Sequence, residues 1–480
     1  MAIAAVAFVL AAGLALSHTL NIWQDEAYTL NTTGAGFAYA LHQSIVFEQN
    51  APLYFAVVVF LRRFGEDVFF LRSFSVLCAA GTVALVPGLV RRYVPRADGG
   101  LVALVVSCNP FLMWSAVQLR AYALIIFMSA LLLLTFYDAF MKERRSVWTA
   151  LAYAPCVALA LYTQYYLAFL VAAQGLTLLL WYRRSLLRFI LASFAGCLAF
   201  VPMLMAIPGQ VQNFRTGFER PTLPHALATL TSILWHYLIP LSFPGAGVVY
   251  GVLSVAIVLA LLQYRPRLTV GEGGAIVFLT AAALVLFAAA TFEAGVLVLN
   301  RHAASLYVPV TLSAFGVIAS LSTPLRLRAA SAFATVAIAV SLVSLGITYR
   351  ALATPGDWIR VDAYLRDHER PGEPIAVFEA ENALPLAYYY KGPNRIVAIP
   401  HGVNFKKYDV MDFVIRDESQ LRSVMPRAAR VWLITAGECT SANVRFGCST
   451  LEHFVAGHYR VLSDASFYGS RVRLLERAGQ

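Results

Sequence analysis

The segment Trp23-Gln24-Asp25-Glu26-Ala27-Tyr28 places two adjacent carboxylates a few residues beyond the first long apolar stretch of the chain. Charge held close to hydrocarbon costs free energy, so an acidic pair there is a functional candidate by default. Carboxylates accept protons, and guanidinium groups hold anions in a two-pronged fork. Arg72, Arg120 and Arg301, the last followed by His302, stand near the ends of other apolar stretches, where a cation can reach an anionic group at an interface. Glu48, Tyr54 and Tyr122 have similar surroundings. Each residue also has a plain structural alternative: a dipole-favoured pair at a helix start for the acids, snorkelling for the arginines and an aromatic belt for the tyrosines.

Composition says what kind of scaffold must hold them. The 480 residues are 59% hydrophobic and only 13% charged, with a mean hydropathy of +0.68, which is too apolar for a soluble globule. The 37 Lys and Arg against 26 Asp and Glu fall largely in short clusters between apolar runs, a membrane-topology pattern rather than a nucleic-acid surface. Apolar stretches at 2–18, 71–90, 99–115, 121–140, 147–162, 164–182, 187–207, 246–264, 272–292, 304–322 and 327–348 predict about eleven spans. The first lacks a basic n-region and reads as a span rather than a cleaved signal. Residues 55–64 are short, end near Arg62-Arg63 and read as an interfacial helix, while 225–245, interrupted by Pro240 and Pro244, suits either a broken span or an interfacial loop. If the spans alternate, Arg91-Arg92, Lys142/Arg144/Arg145, Arg183-Arg184, Arg265/Arg267 and Arg326/Arg328 share one side, the cytoplasmic one. The loop at 19–70, with Asp25 and Glu26, and the C-terminus then face outward.

From about residue 350 the pattern changes to alternating helices (357–369, 382–390, near 451–457) and strands (374–378, 395–400, 430–435, near 459–462 and 471–475). This predicts a transmembrane portion at 1–349 and a small α/β domain at 350–480, long enough to bury its own core. Cys439 and Cys448 lie close together in its polar sequence, and in an oxidising compartment a bridge between them would stabilise by about 2–3 kcal/mol. Cys78, Cys108, Cys156 and Cys197 lie in or beside apolar stretches and read as small core residues. Tyr388-Tyr389-Tyr390 could stack on a sugar, but reads more simply as a buried helix face.

Asp25-Glu26 after the first span, Pro52-Leu53-Tyr54 followed by Leu61-Arg62-Arg63-Phe64-Gly65, Leu71-Arg72, Arg120-x-Tyr122, and Arg301-His302 opening a late span come in a telling order. Together they resemble the family 39 type of GT-C glycosyltransferases, the group of protein O-mannosyltransferases and of enzymes that add aminoarabinose or galacturonate to lipid A. The resemblance covers most of residues 15–320. It implies a polytopic α-helical membrane protein of GT-C type with a small C-terminal extracytoplasmic α/β domain, in the bacterial inner (cytoplasmic) membrane. It also implies inverting transfer of a sugar from a polyprenyl-phosphate donor to an envelope acceptor, whether glycolipid such as lipid A, polysaccharide or protein.

In such a reaction Asp25 is the general base and Glu26 orients the acceptor or assists, two neighbours pointing different ways from an extended loop. Arg120 and Arg301 hold the leaving lipid phosphate, with His302 and Arg72 in support, and Glu48, Tyr54 and Tyr122 contact substrate. Gln118 stands where many members carry an acid, and Glu48 is the candidate substitute. No cluster of His, Asp and Glu at ligand spacing is present in the sequence, so no obligatory metal is expected, although a divalent ion is compatible with the chemistry. The partners implied are the lipid-linked donor, the acceptor and membrane lipids, without nucleic acid. The competing expectation is a lipid or lipid-sugar flippase, which calls for broken helices at mid-membrane and often for repeated halves; no such repeat is visible. A receptor-like module would leave the acidic pair unexplained.

Overall fold

The structure, a computed structural model, describes residues 1–142, 146–213, 221–264, 269–295, 298–441 and 444–478. Arg144, Arg145, Arg265 and Arg267, four of the basic residues expected between spans, lie outside these. The chain divides into two compact units. Met1–His18, Asn50–Ile207 and Arg220–Thr348 form the first, and Thr19–Gln49, Pro208–Glu219 and Tyr349–Gln480 the second. The loop that carries Asp25, expected with the transmembrane portion, thus contributes its 19–49 part to the C-terminal unit.

The first unit is helical because long apolar runs can satisfy their backbone groups only within the helix. Among the described residues, six helices are long and apolar enough to cross a membrane: Ala2–Thr19, Val68–Tyr93, Tyr122–Met141, Arg183–Leu204, Gly274–Glu293 and Thr323–Thr348. Val147–Thr163, Leu167–Trp181, Ala246–Ala260 and Ala304–Ala319 are apolar but shorter. The interval 99–115, expected as one span, is instead a pair, Gly99–Cys108 and Pro110–Ala116, bent by 65°. The cause is Asn109-Pro110. Proline disfavours helical backbone in the residue before it, and Asn109 accordingly sits at φ −67°, ψ 128°. Its Oδ1 then accepts from Phe111 N (2.9 Å) and restarts the chain as a new helix, while its Nδ2 donates to Tyr237 O (3.0 Å).

The stretch at 225–245, which suits either a broken span or an interfacial loop by sequence, is mostly the helix Leu223–Leu238, which ends just before Pro240. The short apolar segment at 55–64 is the nine-residue helix Leu53–Leu61, which stops at Arg62. Small residues let helices close on one another. At Gly196 an added Cβ would stand 2.6 Å from Ala154 O, so Arg183–Leu204 and Val147–Thr163 meet nearly backbone to backbone there. Arg92 ties its helix to Asp138 by two bonds, Nε to Oδ1 at 3.0 Å and Nη2 to Oδ2 at 2.7 Å.

The second unit is built on a five-stranded sheet. Its strands are β1 (Ile375–Phe378), β2 (Ile396–Ala398), β3 (Arg430–Ala436), β6 (Tyr459–Phe467) and β7 (Ser470–Arg477), with β4 (Thr440–Ser441) and β5 (Val444–Arg445) forming a separate small hairpin. The order is β2-β1-β3-β7-β6, with β2, β1 and β3 parallel and β7 and β6 antiparallel. Alternation of side chains gives the sheet two apolar faces. Ala376, Phe378, Val431 and Leu433 face one core with Leu421, Leu451 and Phe454, and Ile375, Val377, Trp432 and Ile434 face the other with Trp358, Leu365 and Leu386. The helices Glu418–Val424 and Cys448–His458 supply the first core, and Trp358–His368 and Ala383–Tyr389 the second. The expected helices and strands of 350–480 are all present. The helix Glu418–Val424 and the β4–β5 hairpin were not anticipated. Cys439, after β3, is bonded to Cys448 at the start of its helix.

Candidate active site

In the second unit, Asp25 and Glu26 lie in the first turn of the helix Gln24–Thr32, not in an extended loop. The helix dipole favours both charges there. Trp23 is the N-cap and its indole can only donate, so the start is closed from the other side: Glu26 Oε2 accepts from Trp23 N (3.3 Å). Glu26 is fully buried, and this bond gives it a helix-capping job. Asp25, one residue earlier, is only half-buried. Glu48 accepts from Thr32 Oγ1 (3.1 Å), tying the end of the same helix to the segment after Phe37–Val46.

Tyr28, one turn beyond Asp25, donates to Glu381 Oε1. Its ring is buried and meets Phe47, Phe405 and Tyr408 edge-on. Burial, and then the charge of Glu381, push the Tyr28 phenol well above its usual range, so it remains a donor. Glu379 follows β1, beside the turn after β3, where a Cβ added at Gly437 would stand 2.6 Å from its Oε2. Burial pushes the Glu379 carboxyl up to about 8, with Glu381 and Glu438 adding to the shift. The tyrosine run divides: Tyr390 is in the core, Tyr389 is half-buried and its hydroxyl accepts from Ile22 N (2.9 Å), and Tyr388 is exposed.

In the first unit, Arg120 lies half-buried in the bend between Pro110–Ala116 and Tyr122–Phe136. Tyr122 begins the second of these helices and stacks on Trp114 (4.9 Å between centroids, 23°). Arg301 and His302, both half-buried, occupy the turn before Ala304–Leu306. That turn is fixed by side chains from three helices or their ends. Tyr237 Oη donates to Asn300 O (2.6 Å), Gln164 Nε2 to His302 O (3.4 Å) and Ser129 Oγ to Ser305 O (2.6 Å). His302 Nδ1 accepts from Leu299 N (3.2 Å), which leaves the ring proton on Nε2.

Two further candidates are buried in the first unit. Arg72 is only 1% exposed and its Nη1 donates to Ser17 O (3.2 Å), near the end of Ala2–Thr19. Tyr54, equally buried, shares a hydrogen bond with Ser75 Oγ (3.2 Å) and packs on Phe55 and Phe74. Among the described residues, no group of three or more His, Cys, Asp or Glu could hold a metal ion. The sequence reading does not single out Tyr28, Glu379 or Glu381 as site residues, and it takes Tyr389 only as part of an aromatic run. The available signal was an acid immediately after a strand that reads as parallel, the edge where α/β sheets place ligands.

Among the described residues six helices are long and apolar enough to cross a membrane, and together with the α/β unit they give the chain a fold similar to that of solved structures. The chain superposes on ArnT from Cupriavidus metallidurans in the apo state with a TM-score of 0.59 at 12% identity, covering 98% of this chain and 97% of that one. The same protein bound to undecaprenyl phosphate gives a TM-score of 0.45 at 13% identity, with coverage of 98% and 97%. The Archaeoglobus fulgidus oligosaccharyltransferase, in complex with Zn and sulfate, gives 0.41 at 11%, covering 89% of this chain and 68% of that one. No protein-family model and no curated protein sequence matches the chain.

Proposed function

We propose that the chain is an inverting glycosyltransferase that moves a sugar from a polyprenyl-phosphate donor to a hydroxyl of an envelope glycolipid, polysaccharide or protein, on the outer face of the bacterial inner membrane. The observation that carries the reading is a half-buried carboxylate, Asp25, in the first turn of a helix just after the first span, on a chain whose whole length follows the GT-C fold of ArnT. The ordered motifs of residues 15–320 point the same way. The short basic clusters support the outward orientation of the 19–70 loop.

In this reading the acceptor oxygen attacks the anomeric carbon while its proton passes to the Asp25 carboxylate. The bond between the anomeric carbon and the phosphate oxygen breaks, and the electron pair leaves with the polyprenyl phosphate. Arg120 and Arg301 are the candidates for holding that developing charge, each on a short turn between helices. His302 can donate from Nε2, and Tyr122 is the remaining candidate for a substrate contact. Glu26, Glu48, Arg72 and Tyr54 also make bonds within their own units, which would hold them in place beside the reacting groups.

The test is transfer by the purified protein from a panel of polyprenyl-phosphate sugars, with release of polyprenyl phosphate as readout. Asp25→Asn should lower release by about 10²–10⁴-fold while the protein stays folded. Equal rates in the two proteins would remove Asp25 as base. Movement of a fluorescent lipid across proteoliposomes, without release from any donor, would favour the flippase reading.

A further inference from the structure

The start of the Asp25 helix is held by three residues 333, 367 and 353 positions away in sequence, all in the second unit. Thr354 N donates to Asn21 Oδ1 (3.0 Å) and Thr354 Oγ1 to Asn21 O (2.9 Å). The Tyr389 hydroxyl accepts from Ile22 N, and Glu381 accepts from Tyr28. Two of these ties lie just before the N-cap Trp23, and the third lies one turn after Asp25. A tie on one side alone would leave the helix free to roll about its axis. Ties on both sides fix its rotation and its axial position together, and the Glu26 bond to Trp23 N closes the turn between them.

Asn21 and Thr354 are both buried, which shields their two bonds from water, and the Tyr28 ring is wedged among three other rings, while the ties to Tyr389 and Glu381 are part-buried. Residues 19–49 group with the C-terminal residues in one compact unit, as this clamp requires.

We infer that Thr354, Glu381 and Tyr389 are positioning residues for Asp25, and that the C-terminal α/β domain serves as the mount that aims this carboxylate at the acceptor hydroxyl. The inference rests on the transfer reading above and gives the domain a part in the reaction. Positioning is worth much in catalysis: a base displaced by about 1 Å can lose about 10²-fold in rate. The substrate's own contacts need not change, so the loss belongs in kcat and not in KM.

The experiment uses the full chain in lipid nanodiscs. It measures kcat and KM for donor and acceptor, together with hydrogen exchange at the amides of residues 24–32. Glu381→Ala and Tyr28→Phe should each lower kcat by about 10²-fold with KM changed by less than about 2-fold, and exchange in 24–32 should quicken. Glu381→Gln should recover to within about 5-fold of wild type, because its carbonyl still accepts from Tyr28. Tyr389→Phe should show the same pattern more weakly. Tyr28→Phe keeps the ring and its packing, so it carries the test if Glu381→Ala does not fold. A loss confined to KM would make Glu381 a substrate contact, and unchanged kcat with unchanged exchange would show the clamp to be idle; either result overturns the inference. Absence of transfer by the wild type is a different failure, that of the transfer reading itself, and is read from the wild type alone.

Discussion

The two units fix their candidate functional residues by opposite means. In the first, the turn with Arg301 and His302 is pinned by neutral side chains that donate to backbone carbonyls of the turn itself. In the second, the Asp25 helix is pinned through side chains brought in from the far end of the chain, one of them a carboxylate close to another buried carboxylate. The first arrangement should be indifferent to pH and tolerant of single losses. The second is exposed to charge, since Glu379 is crowded by Glu381 and Glu438.

The largest expected effect tests that contrast through Glu379. Its carboxyl is raised from 4.5 to about 8, chiefly by burial, so the folded unit keeps a proton that the unfolded chain has lost. The stability this contributes is complete below about pH 4.5 and is lost as pH rises through about 8. A shift of that size corresponds to at most about 5 kcal/mol. Hydrogen exchange at the amides of β1 and β3 should therefore quicken steadily from pH 5 to 8.5 beyond the intrinsic pH dependence of exchange. Glu379→Gln should abolish that excess, while the helices of the first unit should show none in either protein. A wild-type β1 with no excess would mean that the Glu379 charge is solvated and the contrast false.

Next in size is the loss of a cation from the neutral mount. Arg301→Ala should slow release of polyprenyl phosphate by about 10²–10³-fold, the usual cost of removing a donor aimed at developing charge. Arg301→Lys should recover part of it, because a point charge replaces the fork. Equal rates for Arg301→Ala and wild type would return Arg301 to the role of an interfacial cation.

The sequence made these two mounts unequally legible. The helices of the first unit follow from unbroken apolar runs, and the turns with Arg120 and Arg301 from the gaps between them. The exception at 99–115 is instructive, since hydropathy is blind to the bend that Asn109-Pro110 imposes although the residues themselves announce it. The strands and helices of 350–480 were readable from alternation and turn residues. What could not be read is that 19–49 belongs with them, because hydrogen bonds such as Thr354 to Asn21 join residues with no periodic relation. For the same reason Asp25 stood out by type and place, while Glu381 and Tyr28 did not. Arg72 and Tyr54 stood out by motif position, but the bonds that they make to Ser17 and Ser75 could not be read from it either.

The smallest effect applies one chemical change to both mounts. Tyr237→Phe removes the hydroxyl that donates to Asn300 O, as Tyr28→Phe removes the one that donates to Glu381. Asn300 O also accepts from Ala303 N (3.2 Å), so its carbonyl is not stranded when the phenol goes. Gln164 and Ser129 continue to hold the turn, and the Tyr237 ring keeps its contacts with Phe111 and Tyr307. The expected cost is about 1 kcal/mol of stability, with release slowed by less than about 5-fold. Adding Ser129→Ala should cost more than the sum of the two single changes, because each pin covers for the other. Strict additivity would show that the pins act independently, and a loss from Tyr237→Phe as large as that from Tyr28→Phe would show that the neutral mount has no redundancy.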